Sequence, residues 1–155
     1  MEKEEKPKTF EEVRQFLATI PAIHLGGCGI SAYAMYKWLL KNEELSKVQK
    51  MKFMLCYDYL EKDVYENNLK NLYMKKIHKI SGCCHVGLYY DYEFIDCEKN
   101  INRKRYDYIQ FIESDDDWFL LAAINNKNTW NPTFNREHIA QIEEALEIDL
   151  QEIIW

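Results

Sequence analysis

A cysteine stands where a glycine-rich segment meets the start of a predicted helix. Cys28 follows Gly26 and Gly27 and precedes Gly29, and the apolar run behind it predicts a buried helix over residues 28–41. Free N–H groups and the macrodipole at a helix N-terminus stabilise a thiolate, the nucleophilic form of cysteine. The glycines leave room for a substrate carbonyl, and the Cys28 N–H can act as an oxyanion donor. Cys28 is therefore a candidate nucleophile, the alternative being a small buried residue at a helix start.

A histidine and an aspartate in two predicted strands are candidate partners for Cys28. His85 lies in the strand predicted over residues 81–90, and Asp96 lies in the next one, predicted over 92–97. Gly87 shares a strand face with His85 and is expected to leave open space beside the imidazole. A thiol, a base and a carboxylate that orients the base form an activated nucleophile. The alternatives are a strand histidine with a backbone partner and a surface carboxylate.

The turn between the two strands decides whether Asp96 reaches His85. A two-residue turn at residues 91–92 pairs Tyr90 with Glu93 and places Asp96 one diagonal step from His85 on the same face. A slip of one residue would move Asp96 to the opposite face of the sheet. The turn lacks the usual Asn-Gly signal, so this register is a hypothesis.

These motifs resemble the papain-like cysteine peptidase superfamily, and most closely its NlpC/P60-like and transglutaminase-like branches. The resemblance rests on residues 27–32 (GCGISA), 85–90 (HVGLYY) and 94–96 (FID) and covers about residues 22–98. In overall style the chain also looks like small phage-encoded proteins of this type.

The resemblance implies a fold, an activity and roles for individual residues. The fold would be an α+β papain-like core, with the Cys-bearing buried helix packed on a small antiparallel sheet. Cys28 would be the nucleophile, His85 the base and Asp96 the residue that orients it. Papain-like enzymes add a polar oxyanion donor upstream of the cysteine; the residue six positions before Cys28 is an alanine, so His24 is assigned this role, beside Gly27.

The implied chemistry is that of a thiol hydrolase or acyltransferase. Cys28 would attack an amide, isopeptide or thioester carbonyl of a protein or peptide substrate, and no cofactor or metal is expected. The alternative is a catalytically inactive relative that binds a protein partner. A third hypothesis, a metal-stabilised scaffold, is disfavoured by the spacing of the cysteines. Structural zinc sites usually have C-x₂₋₄-C spacing, whereas Cys83 and Cys84 are adjacent and the other cysteines are scattered.

The remaining elements predict one domain over residues 9–155, preceded by a solvated tail at 1–8. Thr9 and Glu12 have the spacing of a helix capping box. The other helices are predicted over about 61–79, after the acidic run at 115–117, and from about 135. In the helix at 61–79 the predicted inward residues are Val64, Leu69, Leu72, Tyr73 and Ile77. Helices flanking a group of strands favour the α+β class.

Composition and charge narrow the class of protein. The 155 residues carry a formal net charge of −6, which disfavours nucleic-acid binding because phosphate contacts need a basic surface. Five cysteines cannot all pair within one chain, so a full disulfide framework is excluded. No secretory signal or membrane span is recognisable, which predicts a cytoplasmic protein. The short basic segment at residues 103–105 is predicted to be a solvated loop.

Overall fold

The computed structural model describes residues 6–21, 23, 28–74, 83–98, 100–113 and 136–150. Within these ranges five helices and a four-stranded antiparallel sheet form a mixed α+β fold, so the predicted class is confirmed. In chain order the elements are α1 (Phe10–Ala18), α2 (Cys28–Asn42), α3 (Leu45–Val48), β1 (Lys52–Tyr57), α4 (Lys62–Tyr73), β2 (Cys83–Tyr90), β3 (Glu93–Ile95), a 3-10 turn (Arg103–Arg105), β4 (Tyr108–Glu113) and α5 (Arg136–Leu146).

Helix α1 begins with the predicted capping box. The Thr9 hydroxyl accepts a hydrogen bond from the Glu12 N–H at 3.2 Å, and the Glu12 carboxylate accepts one from the Thr9 N–H at 3.2 Å. The two bonds satisfy N–H groups that no carbonyl of the helix can reach. Val13 and Leu17 are fully buried, and α1 packs against α2.

Helix α2 is buried along most of its length, as its apolar composition predicts. Ten of its fifteen residues are buried, and the helix contacts β2, α1, α3 and α5. The ring of Tyr36 meets the ring of Phe53 in β1 edge-on, with centroids 5.1 Å apart. This central packing fixes the first residue of the helix, Cys28, relative to the sheet.

The sheet has the strand order β3-β2-β1-β4 and presents two different faces. On the side we call the helix face, Phe53 and Leu88 join the large core formed with α1, α2 and α5. On the opposite side, the loop face, Met54 and Cys56 form a small cluster with Ile101, which comes from the β3–β4 connection. Side chains alternate along each strand, so every strand contributes to both faces.

Strands β2 and β3 form the predicted hairpin. Tyr90 pairs with Glu93 around a two-residue turn at 91–92, whose φ angles are 50° and 67°, so the proposed register is confirmed at the turn. Positive φ at both central residues is typical of a type I′ turn, which matches the twist of the strands. Strand β3 ends at Ile95, earlier than predicted, and Asp96 therefore lies beyond the paired region.

Helix α4 turns a different side inward from the one predicted. Leu69 and Tyr73 are 44% and 90% exposed, so their predicted burial is wrong. The inward side carries Asn68, which is buried, and Tyr65, whose ring stacks on that of Tyr108 at 4.0 Å. The stacking of Tyr65 on Tyr108 orients the helix, and the pattern of hydrophobic residues in α4 does not indicate this orientation.

The C-terminal helix α5 agrees with its prediction. Ile139, Ile142 and Leu146 are buried in the helix-face core. The helix predicted after the acidic run at 115–117 lies outside the described residues, as do Ile77 and the Leu72 side chain.

Candidate active site

His85 and Asp96 form a hydrogen-bonded pair at the end of the sheet. The Nε2 atom of His85 lies 3.2 Å from Oδ2 of Asp96. The two side chains are only 12% and 8% exposed. Because the pair is shielded from bulk solvent, dissolved salt screens it less than it would a surface pair.

The thiol of Cys28 lies near the same imidazole, close enough to affect its pKa. Cys28 is the first residue of α2 and is partly exposed, and α2 packs against β2, which carries His85. The three residues singled out in the sequence as nucleophile, base and orienting carboxylate therefore lie close together, although the elements that carry Cys28 and His85 are far apart in the chain.

The surroundings of His85 favour its protonated form. Burial by itself lowers the pKa of the imidazole, because a desolvated site disfavours the cation. The hydrogen bond with Asp96 and the electrostatic attraction of Asp96 and the nearby Cys28 sulfur outweigh burial and raise the pKa of His85 from 6.5 to about 9. At neutral pH His85 is thus an imidazolium held between a carboxylate and the Cys28 sulfur.

Two further contacts hold Asp96 in place. Its Oδ1 atom accepts a hydrogen bond from the Glu98 N–H at 2.8 Å, and its backbone carbonyl accepts one from Nε of Arg14 at 3.1 Å. The first contact closes a local Asx turn, which directs the other carboxylate oxygen to His85. Arg14 belongs to α1. Nothing in the sequence around Arg14 indicates that its side chain contacts Asp96.

The space beside His85 is filled, so the expectation of an open gap at Gly87 is wrong. A Cβ atom at Gly87 would overlap Cδ1 of Ile101 and would lie 3.0 Å from the Ile95 carbonyl oxygen. Because Gly87 has no side chain, the β3–β4 connection can pack closely against β2 at this position. The same connection places Tyr106 parallel to His85, with ring centroids 6.5 Å apart and an interplanar angle of 8°.

Cys56 and Cys97 have buried side chains. Burial raises the pKa of the Cys97 thiol to about 11, although the nearby Ser31 hydroxyl opposes the rise, so this thiol is neutral at pH 7. Cys56 is fully buried and is the cross-strand partner of His85. Among these cysteines, only Cys28 is partly exposed.

Some predicted positions fall outside the described residues. His24 and Gly27, the candidates for the oxyanion site, belong to this group, as do the side chains of Cys83 and Cys84. Across the part of the chain that the structure describes, no group of three or more His, Cys, Asp or Glu side chains is arranged to hold a metal ion. None of the helices described there has the length and apolar character of a membrane span.

Comparisons with known proteins found no relative of this chain. No family model matches the sequence, and no curated protein or solved structure matches it significantly. The geometry of Cys28, His85 and Asp96 therefore carries the functional conclusion.

Proposed function

We propose that this protein is a cysteine-dependent hydrolase or acyltransferase whose catalytic groups are Cys28, His85 and Asp96. The observation that carries the proposal is the His85 imidazole, which is hydrogen-bonded to a buried carboxylate and lies near a thiol at a helix start. A nucleophile, a base and a group that orients the base are the parts an activated nucleophile requires. A Cys-bearing helix packed on an antiparallel sheet also fits the resemblance to papain-like enzymes.

The charges of the site suit attack on a carbonyl group. We propose that Cys28 attacks as a thiolate, the nucleophilic form of cysteine, with the protonated His85 as its counter-ion. The sulfur lone pair forms a bond to the carbonyl carbon, and the C=O π electrons move onto oxygen. When the tetrahedral intermediate collapses, the bond to the leaving group breaks and His85 donates its proton to that group. The product is a thioester on Cys28.

Release of the acyl group completes the cycle. His85, now neutral, accepts a proton from water or an amine as its oxygen or nitrogen attacks the thioester. When the second tetrahedral intermediate collapses, the C–S bond breaks and its electron pair returns to the sulfur of Cys28. Water gives hydrolysis and an amine gives acyl transfer, so one set of residues serves both reactions. Since Nε2 of His85 is directed at Asp96, Nδ1 is the nitrogen that exchanges protons at Cys28. The substrate is a protein or peptide with an amide, isopeptide or thioester bond.

The negative oxygen of the intermediate needs hydrogen-bond donors. The backbone N–H of Cys28, at the start of α2, has no carbonyl one turn earlier within the helix to bind. It is the first proposed donor, and Gly27 and His24 are proposed to supply the second. Loss of a single donor of this kind typically costs about 100- to 1000-fold in turnover.

Alkylation of Cys28 tests the proposal without knowledge of the substrate. We expect iodoacetamide at pH 6 to modify Cys28 at least about 10-fold faster than the thiol of an unstructured peptide, because such a thiol is almost wholly protonated there. His85→Gln should abolish the advantage. Mass spectrometry of proteolytic peptides assigns the label to each cysteine, and the buried Cys97 serves as an internal control.

A second histidine provides the matched control variant. His138 lies in α5, which contributes none of the three candidate catalytic residues, and His138→Gln should leave the labelling rate of Cys28 unchanged. If Cys28 in the wild type reacts no faster than the peptide thiol, or if both histidine variants have the same effect, the proposed function is wrong.

A non-catalytic protein-binding role is the second candidate, and exposed tyrosines favour it. Tyr59, Tyr73 and Tyr92 are 93%, 90% and 77% exposed. Tyrosine is enriched in protein interfaces, where its ring provides contact area and its hydroxyl a hydrogen bond. An unreactive Cys28 in a folded protein, together with a partner whose binding is lost in Tyr→Ser variants but retained in Cys28→Ala, would support this role.

A further inference from the structure

A basic turn lies in the β3–β4 connection, which crosses the loop face of the sheet. Arg103, Lys104 and Arg105 are all exposed and form a single turn of 3-10 helix. Asn102 caps this turn: its side-chain oxygen accepts a hydrogen bond from the Lys104 N–H at 3.1 Å, and its carbonyl accepts one from the Arg105 N–H at 3.1 Å. The backbone that carries the three cations is therefore held in one conformation.

Ring contacts connect this turn to the candidate active site. The guanidinium of Arg105 lies 5.9 Å from the ring centroid of Tyr106, and that ring lies parallel to His85 at 6.5 Å. Cationic groups over aromatic faces are favoured by the ring quadrupole. The charge of Arg105 is thus placed one aromatic ring away from the imidazole that lies near Cys28.

The position of Arg103 is also fixed by aromatic contacts. Its guanidinium lies 4.5 Å from the ring centroid of Phe94 and 5.7 Å from that of Phe111. These rings belong to β3 and β4, the two outer strands of the sheet. The basic turn is therefore attached to the sheet at one end and to Tyr106, beside the site, at the other.

No carboxylate of the described residues forms an ion pair with the turn. Among the described residues, the lysines that form ion pairs are Lys6, Lys41, Lys47 and Lys62. No such ion pair involves Arg103, Lys104 or Arg105. Two carboxylates do lie close to the turn in sequence, those of Glu98 and Asp107, and the latter accepts a hydrogen bond from the Leu60 N–H. Within the described part of this chain, whose net charge is −6, the turn is thus an exposed group of three positive charges beside the site.

We propose that the basic turn selects anionic substrates: the acyl group that Cys28 accepts carries a carboxylate next to its reactive carbonyl, as in a peptide that is acidic at this position. The inference rests on the proposed function and narrows its substrate class. Clustered cations beside a site concentrate anions there and increase their rate of encounter. Dissolved salt weakens this effect, because the Debye length falls from ~30 Å at 0.01 M to ~8 Å at 0.15 M ionic strength.

Two alkylating reagents of the same size test the inference. Iodoacetate carries a carboxylate next to its reactive carbon, and iodoacetamide carries a neutral amide there. The quantity measured is the ratio of their rates at Cys28, in which the intrinsic reactivity of the thiolate cancels. We expect Arg105→Glu to lower the iodoacetate-to-iodoacetamide ratio about threefold at 0.01 M ionic strength, and the difference to disappear in 0.5 M NaCl.

A charge reversal elsewhere is the control. Lys50 is exposed and precedes β1, at the opposite end of this strand from Cys56, the cross-strand partner of His85. Lys50→Glu makes the same change in net charge and should lower the ratio by less than about 1.5-fold. Equal effects of the two variants, or no effect of Arg105→Glu, would overturn the inference. Slow labelling of Cys28 by iodoacetamide would instead count against the proposed function, so the two failures are distinguishable.

Discussion

The two faces of the sheet are built in different ways. The helix face is covered by α1, α2 and α5, and its core consists almost wholly of apolar side chains. Among the described residues, the loop face is covered by the β3–β4 connection, whose contacts include a buried isoleucine, Ile101, and arginines over aromatic rings. Cys28 packs against the core of the helix face, whereas His85 pairs with Cys56 of the loop-face cluster. The candidate site thus forms where the two faces meet.

This difference assigns separate tasks to the two faces. The large apolar core of the helix face supplies most of the free energy of folding, since burial of apolar area is the dominant favourable contribution. The loop face buries few side chains and instead positions His85, Tyr106 and the basic turn. Substitutions on the helix face should therefore change stability, and those on the loop face should mainly change the properties of the site.

The largest expected effect compares one phenylalanine from each face. Phe53 on the helix face is fully buried, and Phe111 on the loop face is 40% exposed. Phe53→Ala should lower the free energy of unfolding by about 3–5 kcal/mol, as expected for a core aromatic residue. Phe111→Ala should cost roughly 1 kcal/mol, because only part of the ring leaves an apolar environment. Urea unfolding measures both, and equal losses would contradict the division between the faces.

The next effect concerns the pH dependence of stability at His85. Its pKa is raised in the folded protein, so its contribution to stability is fully present below pH 6.5 and is lost as the pH rises through about 9. The shift corresponds to a contribution on the order of 3 kcal/mol. The free energy of unfolding should therefore fall over this pH window in the wild type and in His138→Gln, but less steeply in His85→Gln. Parallel curves for all three proteins would show that His85 is not paired in the folded state.

The smallest expected effect tests the contact that closes the loop face. Gly87→Ala should cost about 1–3 kcal/mol, since the added methyl group overlaps Ile101 and approaches the Ile95 carbonyl. Ile101→Val removes the overlapping Cδ1 atom, so the double variant should be more stable than the sum of the single changes predicts. A double-mutant cycle by thermal unfolding gives this coupling. Strictly additive effects would place Ile101 away from Gly87.

Local signals in the sequence predicted most of the fold. The capping box at Thr9 and Glu12 and the two-residue turn at 91–92 each depend on neighbouring residues, and both are confirmed. The burial of α2 followed from apolar residues on nearly all of its sides. The proximity of His85 and Asp96 followed from the hairpin register, which a short turn fixes.

Contacts between distant segments were not predictable in the same way. Ile101 fills the space at Gly87 because the β3–β4 connection crosses the sheet, and no periodicity reveals the path of a connection. Arg14 reaches the Asp96 carbonyl from another helix for the same reason. The inward side of α4 depends on Tyr108, a partner from β4 that only the folded chain brings near.

The order of the elements along the chain has a consequence for synthesis of the protein. Helix α2 carries Cys28, and strand β2, which carries His85, follows much later in the sequence. At roughly 5–20 residues per second, the ribosome needs several seconds to add the segment between them. During this interval the nascent chain exposes a thiol that has no base beside it. The site around Cys28 and His85 therefore cannot form until β2 has been synthesised.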